Sequence, residues 1–258
     1  MPTSENRGDM RDPSPPVYRE IAEALRSAIA SGELSDGDRV PGENDLMKRY
    51  GVARATARQA LSVLINEGIV VAVRGSGVYV RTFRPLRRHG PRRLSRELWG
   101  GGRAIWQADT ADRAFAADNI TVRETAAPEH VARALDLPEQ ERVVVRRRRY
   151  LLDDRPMQLA TSYLPAKLAA GTAIAEADTG PGGIYARLAE LGHAPAHFTE
   201  EIRVRMPSPA EVEELALSAG TPVLDVMRTA LTSDHRAVEL NEMTLDGSAY
   251  ILQYDFDA

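Results

Sequence analysis

The chain has 258 residues, enough for two domains with cores of their own. It lacks cysteine, which excludes disulfides, thiolate metal sites and a thiol nucleophile. The net charge of −4 is uneven: residues 1–83 hold 11 basic and 11 acidic side chains, residues 84–103 seven arginines and one glutamate, and residues 104–258 15 basic and 25 acidic. Local sign governs phosphate contact, so the small total does not exclude a nucleic-acid partner. No run of about 18 apolar residues occurs, so no membrane-spanning helix and no membrane partner is expected.

Residues 1–14 are rich in Ser, Pro and charge and hold no apolar stretch. They read as a disordered tail rather than a signal peptide, which fits a cytoplasmic protein. Residues 15–34 carry Tyr18, Ile21, Ala22, Leu25, Ala28 and Ile29 at helical spacing, with Gly32 to end the helix.

From Pro41 to Val80 the pattern is helix, tight turn, second helix and two-stranded hairpin. Beyond Val52, the residues Ala57, Ala60, Leu61, Leu64 and Ile65 share one helix face, while Arg54 and Arg58, four apart, share another, with Thr56 near them. Gly51 suits the inter-helix turn, and Gly68 closes the second helix. Ile69–Val73 and Val78–Val80 flank Arg74-Gly75-Ser76-Gly77, a hairpin with an arginine at its tip. Two arginines four apart occur on many solvated helices. The ordered set within some forty residues is far more specific, and it reads as a winged helix-turn-helix that lays one helix in the DNA major groove.

Residues 84–112 mix proline, glycine and arginine without a hydrophobic period and read as a basic linker. Arg84, Arg87, Arg88, Arg92 and Arg93 there would add nonspecific phosphate affinity, and Trp99 and Trp106 are expected to dock on the second domain or a partner chain. From residue 113 to 258 the pattern is strand-rich. Strands are expected over Asn119–Val122, Arg142–Leu152, Met157–Leu164, Phe198–Met206, Val223–Thr232, Ala237–Leu245 and Tyr250–Phe256. Helices are expected over Ala127–Leu135, Ile184–Leu191 and Ser208–Ser218. Hairpin connections with interspersed helices predict an α+β domain on an antiparallel sheet.

Within the run Arg146–Arg149, strand alternation sends Arg146 and Arg148 to one face and Arg147 and Arg149 to the other. Two readings stand: a charged edge strand, or an anion-binding floor of guanidinium forks. Thr179-Gly180-Pro181-Gly182-Gly183 precedes a helix whose free N–H groups favour an anion, though alone it reads as an ordinary turn. His193 and His197 are four apart, but Pro195 between them breaks helical metal geometry, so they read as loop residues and no metal site is expected. No nucleophile elbow or phosphate-binding loop is present, and neither a catalytic constellation nor a cofactor is implied.

Residues 16–81 closely resemble the N-terminal domain of GntR-type bacterial transcription regulators. The segments that carry this are Pro16–Ala22, Ile29–Leu34, Gly37–Pro41, Tyr50-Gly51-Val52, Arg58–Leu61, Glu67-Gly68 and Gly75-Ser76-Gly77. The resemblance implies DNA contacts from Arg54, Thr56 and Arg58, and from Arg74, Gly75 and Ser76 in the wing. Asn44 stands where the family usually has arginine, so it joins this set. Ala53 replaces the usual Ser or Thr and leaves the second helix without a side-chain cap. Residues 113–256 resemble the UTRA ligand-sensing domain of the HutC subfamily, through Arg148-Arg149-Tyr150, Asp154–Met157, Ser162–Pro165, Glu200–Ile202, Gly220–Leu224 and Val238-Glu239. This implies a chorismate-lyase-like fold, homodimerisation and an effector site that includes Arg148, Tyr163, Glu242 and Tyr250.

The expectation is therefore a dimeric regulator, a repressor, binding a double-stranded DNA operator under control of a small anionic effector. Two rivals are a ligand-independent, autoregulated repressor and a lyase-type enzyme on the C-terminal fold.

Overall fold

The computed structural model describes residues 15–82, 85–101, 105, 107–110 and 113–255. The expected tail over residues 1–14 and Trp106 lie outside them. The chain divides into two compact units after Thr82.

The first unit holds α1 (Val17–Ala30), α2 (Glu43–Tyr50), α3 (Arg54–Asn66), β1 (Val70–Val73) and β2 (Gly77–Val80). Ile21, Ala22 and Leu25 of α1 meet Leu46 of α2 and Ala57, Ala60, Leu61 and Leu64 of α3 in one buried cluster, which Val70 and Val80 close. Each fully buried leucine there contributes about 1.5–3 kcal/mol. Gly51 takes φ 64° between α2 and α3, a left-handed turn that costs a side-chain-bearing residue more than glycine. After α3, Gly68 N–H donates to the Ile65 carbonyl (3.0 Å) and Ile69 N–H to that of Leu64 (3.1 Å), satisfying the helix end. β1 and β2 pair antiparallel, Val70 opposite Val80, with Arg74 to Ser76 exposed at the tip.

The second unit begins with β3 (Leu86–His89), α4 (Gly90–Arg93), α5 (Arg96–Gly100) and α6 (Gln107–Thr110). There follow β4 (Phe115–Ala126), α7 (Glu129–Ala134), β5 (Arg142–Leu152), β6 (Arg155–Pro165), α8 (Ala166–Ala169), α9 (Gly183–Glu190), β7 (His197–Arg205), α10 (Pro209–Glu214), β8 (Val223–Leu231), β9 (Ala237–Asp246) and β10 (Tyr250–Gln253). Six strands form an antiparallel sheet in the order β4-β5-β6-β9-β8-β7. Its inner face packs on Trp99 of α5 and on Tyr185 and Leu188 of α9, together with Val144 and Leu164. On the outer face Val143, Val145 and Leu240 meet Val131 and Leu135, the latter just past α7.

Two expectations are corrected. The stretch read as a basic linker is built into the second unit. β3 pairs in parallel with β10, Leu86 and Leu94 are buried, and Trp99 is fully enclosed with its indole N–H donating to the Leu94 carbonyl (3.2 Å). Trp99 thus docks as expected, edge-on to Tyr185. Arg88 is 0% exposed and ion-paired with Glu200, and Arg93 is also buried, so neither reaches a phosphate backbone. Arg87 is exposed and donates to Gln253 (3.3 Å); Arg84 and the Arg92 side chain lie outside the described residues. The second correction concerns the last strand, which leaves the main sheet to pair with β3.

At the start of α10, Ser208 and Glu211 cap each other: Ser208 N–H donates to Glu211 Oε2 (2.8 Å) and Glu211 N–H to Ser208 Oγ (3.4 Å). Arg205 grips the same carboxylate through two bonds of 2.7 Å. Hydrogen bonding from Arg205, against the opposing effect of burial, holds the Glu211 carboxyl down at about 2. A depressed carboxyl stabilises the fold above its unfolded value, about 4.3, and loses that contribution as pH falls through the folded value. Glu211→Gln should therefore cost a constant stability above about pH 5, with the gap to the parent chain closing between about pH 4 and 2 in urea melts.

Candidate functional sites

The first unit offers an arginine-bearing helix face. α3 opens at Ala53, which is extended and provides no side-chain cap, so the first N–H groups of the helix stay available to an anion. The Arg54 and Arg58 side chains are 60% and 66% exposed. Both are oriented from α2. Arg58 Nε donates to Glu43 Oε1 (2.7 Å), Arg54 Nη2 donates to Asn44 Oδ1 (3.1 Å), and Arg54 Nε lies 3.7 Å from Glu43 Oε2. The Arg58 hydrogen bond lowers the Glu43 carboxyl below the usual glutamate range. Thr56, on the same first turn, is half-buried. In the wing, Gly75 takes φ 76°, and Ser76 Oγ and the Tyr79 hydroxyl are 2.6 Å apart. A Cβ on Gly77 would stand 3.0 Å from Arg39 Nε, so the exposed Arg39 lies directly against the wing.

The second unit forms a half-open cavity of about 420 Å³ over the inner face of the sheet. One polar row crosses five strands in register: Arg146 opposite Ser162, Ser162 opposite Asn241, Asn241 opposite Arg228, and Arg228 opposite Glu200. Arg146, Asn241 and Arg228 from this row line the cavity, with Arg148, Tyr150 and Glu239 beside them. The loop Ala177–Gly180 and the start of α9 form another wall, and Arg93 of α4 reaches it too. Arg146 is committed to structure. Its Nη1 donates to the carbonyls of Ile174 (2.5 Å) and Glu176, and its Nη2 to that of Ala177 (3.0 Å). Burial, reinforced by the neighbouring Arg148 charge, lowers its ionisation to about 10, so it stays a cation at neutral pH. Arg148 donates to the Tyr150 hydroxyl (2.7 Å) and to Ser162 Oγ (2.8 Å).

Comparison with known proteins finds matches for both units. Residues 17–80 match the family of bacterial regulatory proteins, gntR family, and residues 111–251 match the UTRA domain. An uncharacterised HTH-type transcriptional regulator of Streptomyces coelicolor is 32% identical over 95% of this chain and 94% of its own length. The chain belongs to the GntR family. The HTH-type transcriptional repressor NagR of Bacillus subtilis is 25% identical over 94% of this chain and 95% of its own. A crystal structure of a GntR-family transcriptional regulator superposes with TM-score 0.66 at 26% identity, covering 95% of this chain and 98% of that one. These relatives are transcription regulators, so this GntR chain with its UTRA domain is a transcription regulator and not an enzyme.

Of the four residues expected in the GntR chain's effector site, only Arg148 lines the cavity. Tyr163 and Glu242 point to the opposite face, where Glu242 meets His130 Nε2 at 2.8 Å and the His130 ring stands edge-on to Tyr163. Burial, with the Glu242 charge beside it, pushes the Tyr163 phenol up to about 12. Tyr250 is buried in the adjoining apolar cluster with Leu86 and Met243 and does not line the cavity. The expected DNA-contacting residues Asn44, Arg54, Arg58, Arg74, Gly75 and Ser76 are exposed. Sequence reasoning missed Arg93, Arg228, Glu239 and Asn241 in the cavity, and Glu43 as the group that orients two arginines. The alternation of buried polar residues along β9 was the available signal for Glu239 and Asn241. His197 opens β7 rather than lying in a loop, and its ring stacks on His235 at 4.5 Å. Among the described residues there is no cluster able to hold a metal ion.

The neighbours Arg146 and Arg147 allow a direct comparison of the two faces of β5. Arg146→Ala strips buried carbonyls of their donor and should destabilise the protein by about 3 kcal/mol. Arg147 is half-exposed and pairs with Glu214 (2.6 Å), so Arg147→Ala should cost less than about 1 kcal/mol. Denaturant midpoints of the two variants measure the contrast.

Proposed function

We propose that this regulator is a repressor of the HutC type. It acts in the cytoplasm as a homodimer on a two-fold operator, and a small anionic effector in the UTRA cavity changes its operator affinity. The cavity carries the reading: four arginines converge on a half-open pocket in a chain that also bears an exposed arginine face on α3. Guanidinium forks suit carboxylate and phosphate, which supports an anionic effector. The name of the Bacillus subtilis relative, a repressor, supports the sign of regulation.

On the DNA side, Arg54, Thr56 and Arg58 read base edges, Asn44 assists from α2, and Arg74, Gly75 and Ser76 hold the flanking backbone. Glu43 keeps Arg54 and Arg58 extended before DNA arrives. Two recognition helices on a dimer set half-sites about one helical turn apart. A coupling of about 1–3 kcal/mol between cavity and operator gives a regulatory change of about 5- to 150-fold.

Selection of bound fragments from random duplex DNA at fixed, near-physiological salt should recover a two-fold motif. Arg54→Ala should then lose about 1–3 kcal/mol of discrimination on that motif while melting like the parent chain. Motif-free binding by the parent, or full operator affinity in Arg54→Ala, would count against the assignment.

A further inference from the structure

The charges around the cavity do not balance. Arg88, Arg93, Arg146 and Arg228 are buried, and Arg148 is half-buried beside them. The carboxylates set among these five are Glu200, Glu239 and Asp109, which leaves a surplus of two positive charges. Asp178 also lines the cavity, but it is exposed and screened by water. Uncompensated buried charge is costly, so this surplus calls for an anion.

The hydrogen bonding is incomplete in a matching way. Nε and Nη1 of both Arg93 and Arg228 have no hydrogen-bond partner among the described residues. Arg93 Nε stands 3.1 Å from Asp109 Oδ2 without the alignment of a hydrogen bond, an ion pair that leaves its donors free. Burial first, then the nearby Arg88 charge, lowers the Arg93 ionisation to about 10, so Arg93 remains charged at neutral pH. Elsewhere in the cavity the deficit is of the opposite kind. Glu239 Oε2 and Asn241 Oδ1 are acceptors without an aligned donor among the described residues, with the Tyr185 hydroxyl lying beside Glu239. A ligand that completes this site offers anionic oxygens to the arginines and O–H or N–H donors to Glu239 and Asn241. At roughly 30 Å³ per water-sized group, 420 Å³ holds on the order of a dozen non-hydrogen atoms.

We propose that the cavity selects a dianionic, hydroxyl-bearing metabolite, and that Arg93 of α4 is the residue that reads its second charge. The assignment rests on the effector reading above and sharpens it. Arg146 and Arg148 already have several hydrogen-bond partners, Arg146 keeping only Nε unpaired among the described residues, so Arg93 and Arg228 hold most of the guanidinium donors that remain. Arg93 sits four residues beyond β3, so ligand that engages it also fixes the segment that follows Thr82 in sequence.

Thermal-shift and calorimetric titrations of the full chain with four three- or four-carbon probes test this. Glycerol is neutral, glycerate a monoanion, and glycerol 3-phosphate and malate are dianions, the phosphate monoester being mostly doubly charged at pH 7.5. Both dianions should bind at least tenfold more tightly than glycerate, and glycerol should not bind. Arg93→Gln should lose at least tenfold for the dianions. Asp109→Asn, which removes a competing negative charge, should bind them as tightly as the parent chain or more so. Equal binding of glycerate and the dianions, or unchanged binding in Arg93→Gln, overturns the charge assignment and leaves the effector reading in place. Weakening in Asp109→Asn as large as in Arg93→Gln also overturns it, because the integrity of the segment and not its charge would then govern affinity. Absence of binding by all four probes overturns the dianion assignment. The effector reading then falls separately, if a whole metabolite extract leaves operator affinity unchanged.

Discussion

A row of buried polar side chains across the inner face of the sheet sets the character of the second unit. Arg146, Ser162, Asn241, Arg228 and Glu200 face one another in register. A sheet face of this kind cannot be packed dry against a helix, because each guanidinium demands oxygen and each amide a partner. The covering elements answer in two ways. Apolar contact is made beyond the row, where Trp99, Tyr185 and Leu188 meet Val144 and Leu164. Over the row itself, backbone carbonyls of Ile174, Glu176 and Ala177 bend in to take Arg146, and a cavity remains beside them. The cavity follows from what the strands cannot bury.

The arginines of the first unit show the opposite economy. Arg54 and Arg58 are exposed, and their pairs with Glu43 and Asn44 add little stability in water. Such exposed pairs exchange readily for other partners. In the DNA-contacting role proposed for them their worth is geometric, since a fork already extended loses less rotamer freedom on binding.

How much of this was legible depended on whether the signal was local. The helix-turn-helix core was readable because Ile21 and Leu25 in the first helix, and Ala57, Leu61 and Leu64 in α3, recur at helical spacing, and Gly51 and Gly68 punctuate the pattern. The split of Arg146 and Arg148 from Arg147 and Arg149 also followed from the strand period alone. Tyr163 and Glu242 show how sharp that rule is. Each is one residue from a member of the inner row, Ser162 and Asn241, and one step along a strand reverses the face. The misreading of residues 84–112 has a different cause. β3 has no local periodicity to betray it, and its strand partner among the described residues is β10, far along the chain. Composition cannot report a pairing that distant.

That pairing also orders events in time. Arg87 and Gln253, which bond across β3 and β10, are 166 residues apart in sequence. The first unit makes its closing contacts by Arg81, whose N–H reaches the Ile69 carbonyl. During synthesis the DNA-reading unit is therefore complete long before the sensor is. The second unit cannot seat its own first strand until Tyr250–Gln253 have emerged from the ribosome. Each new molecule thus passes through an interval in which the first unit is folded and the second is not.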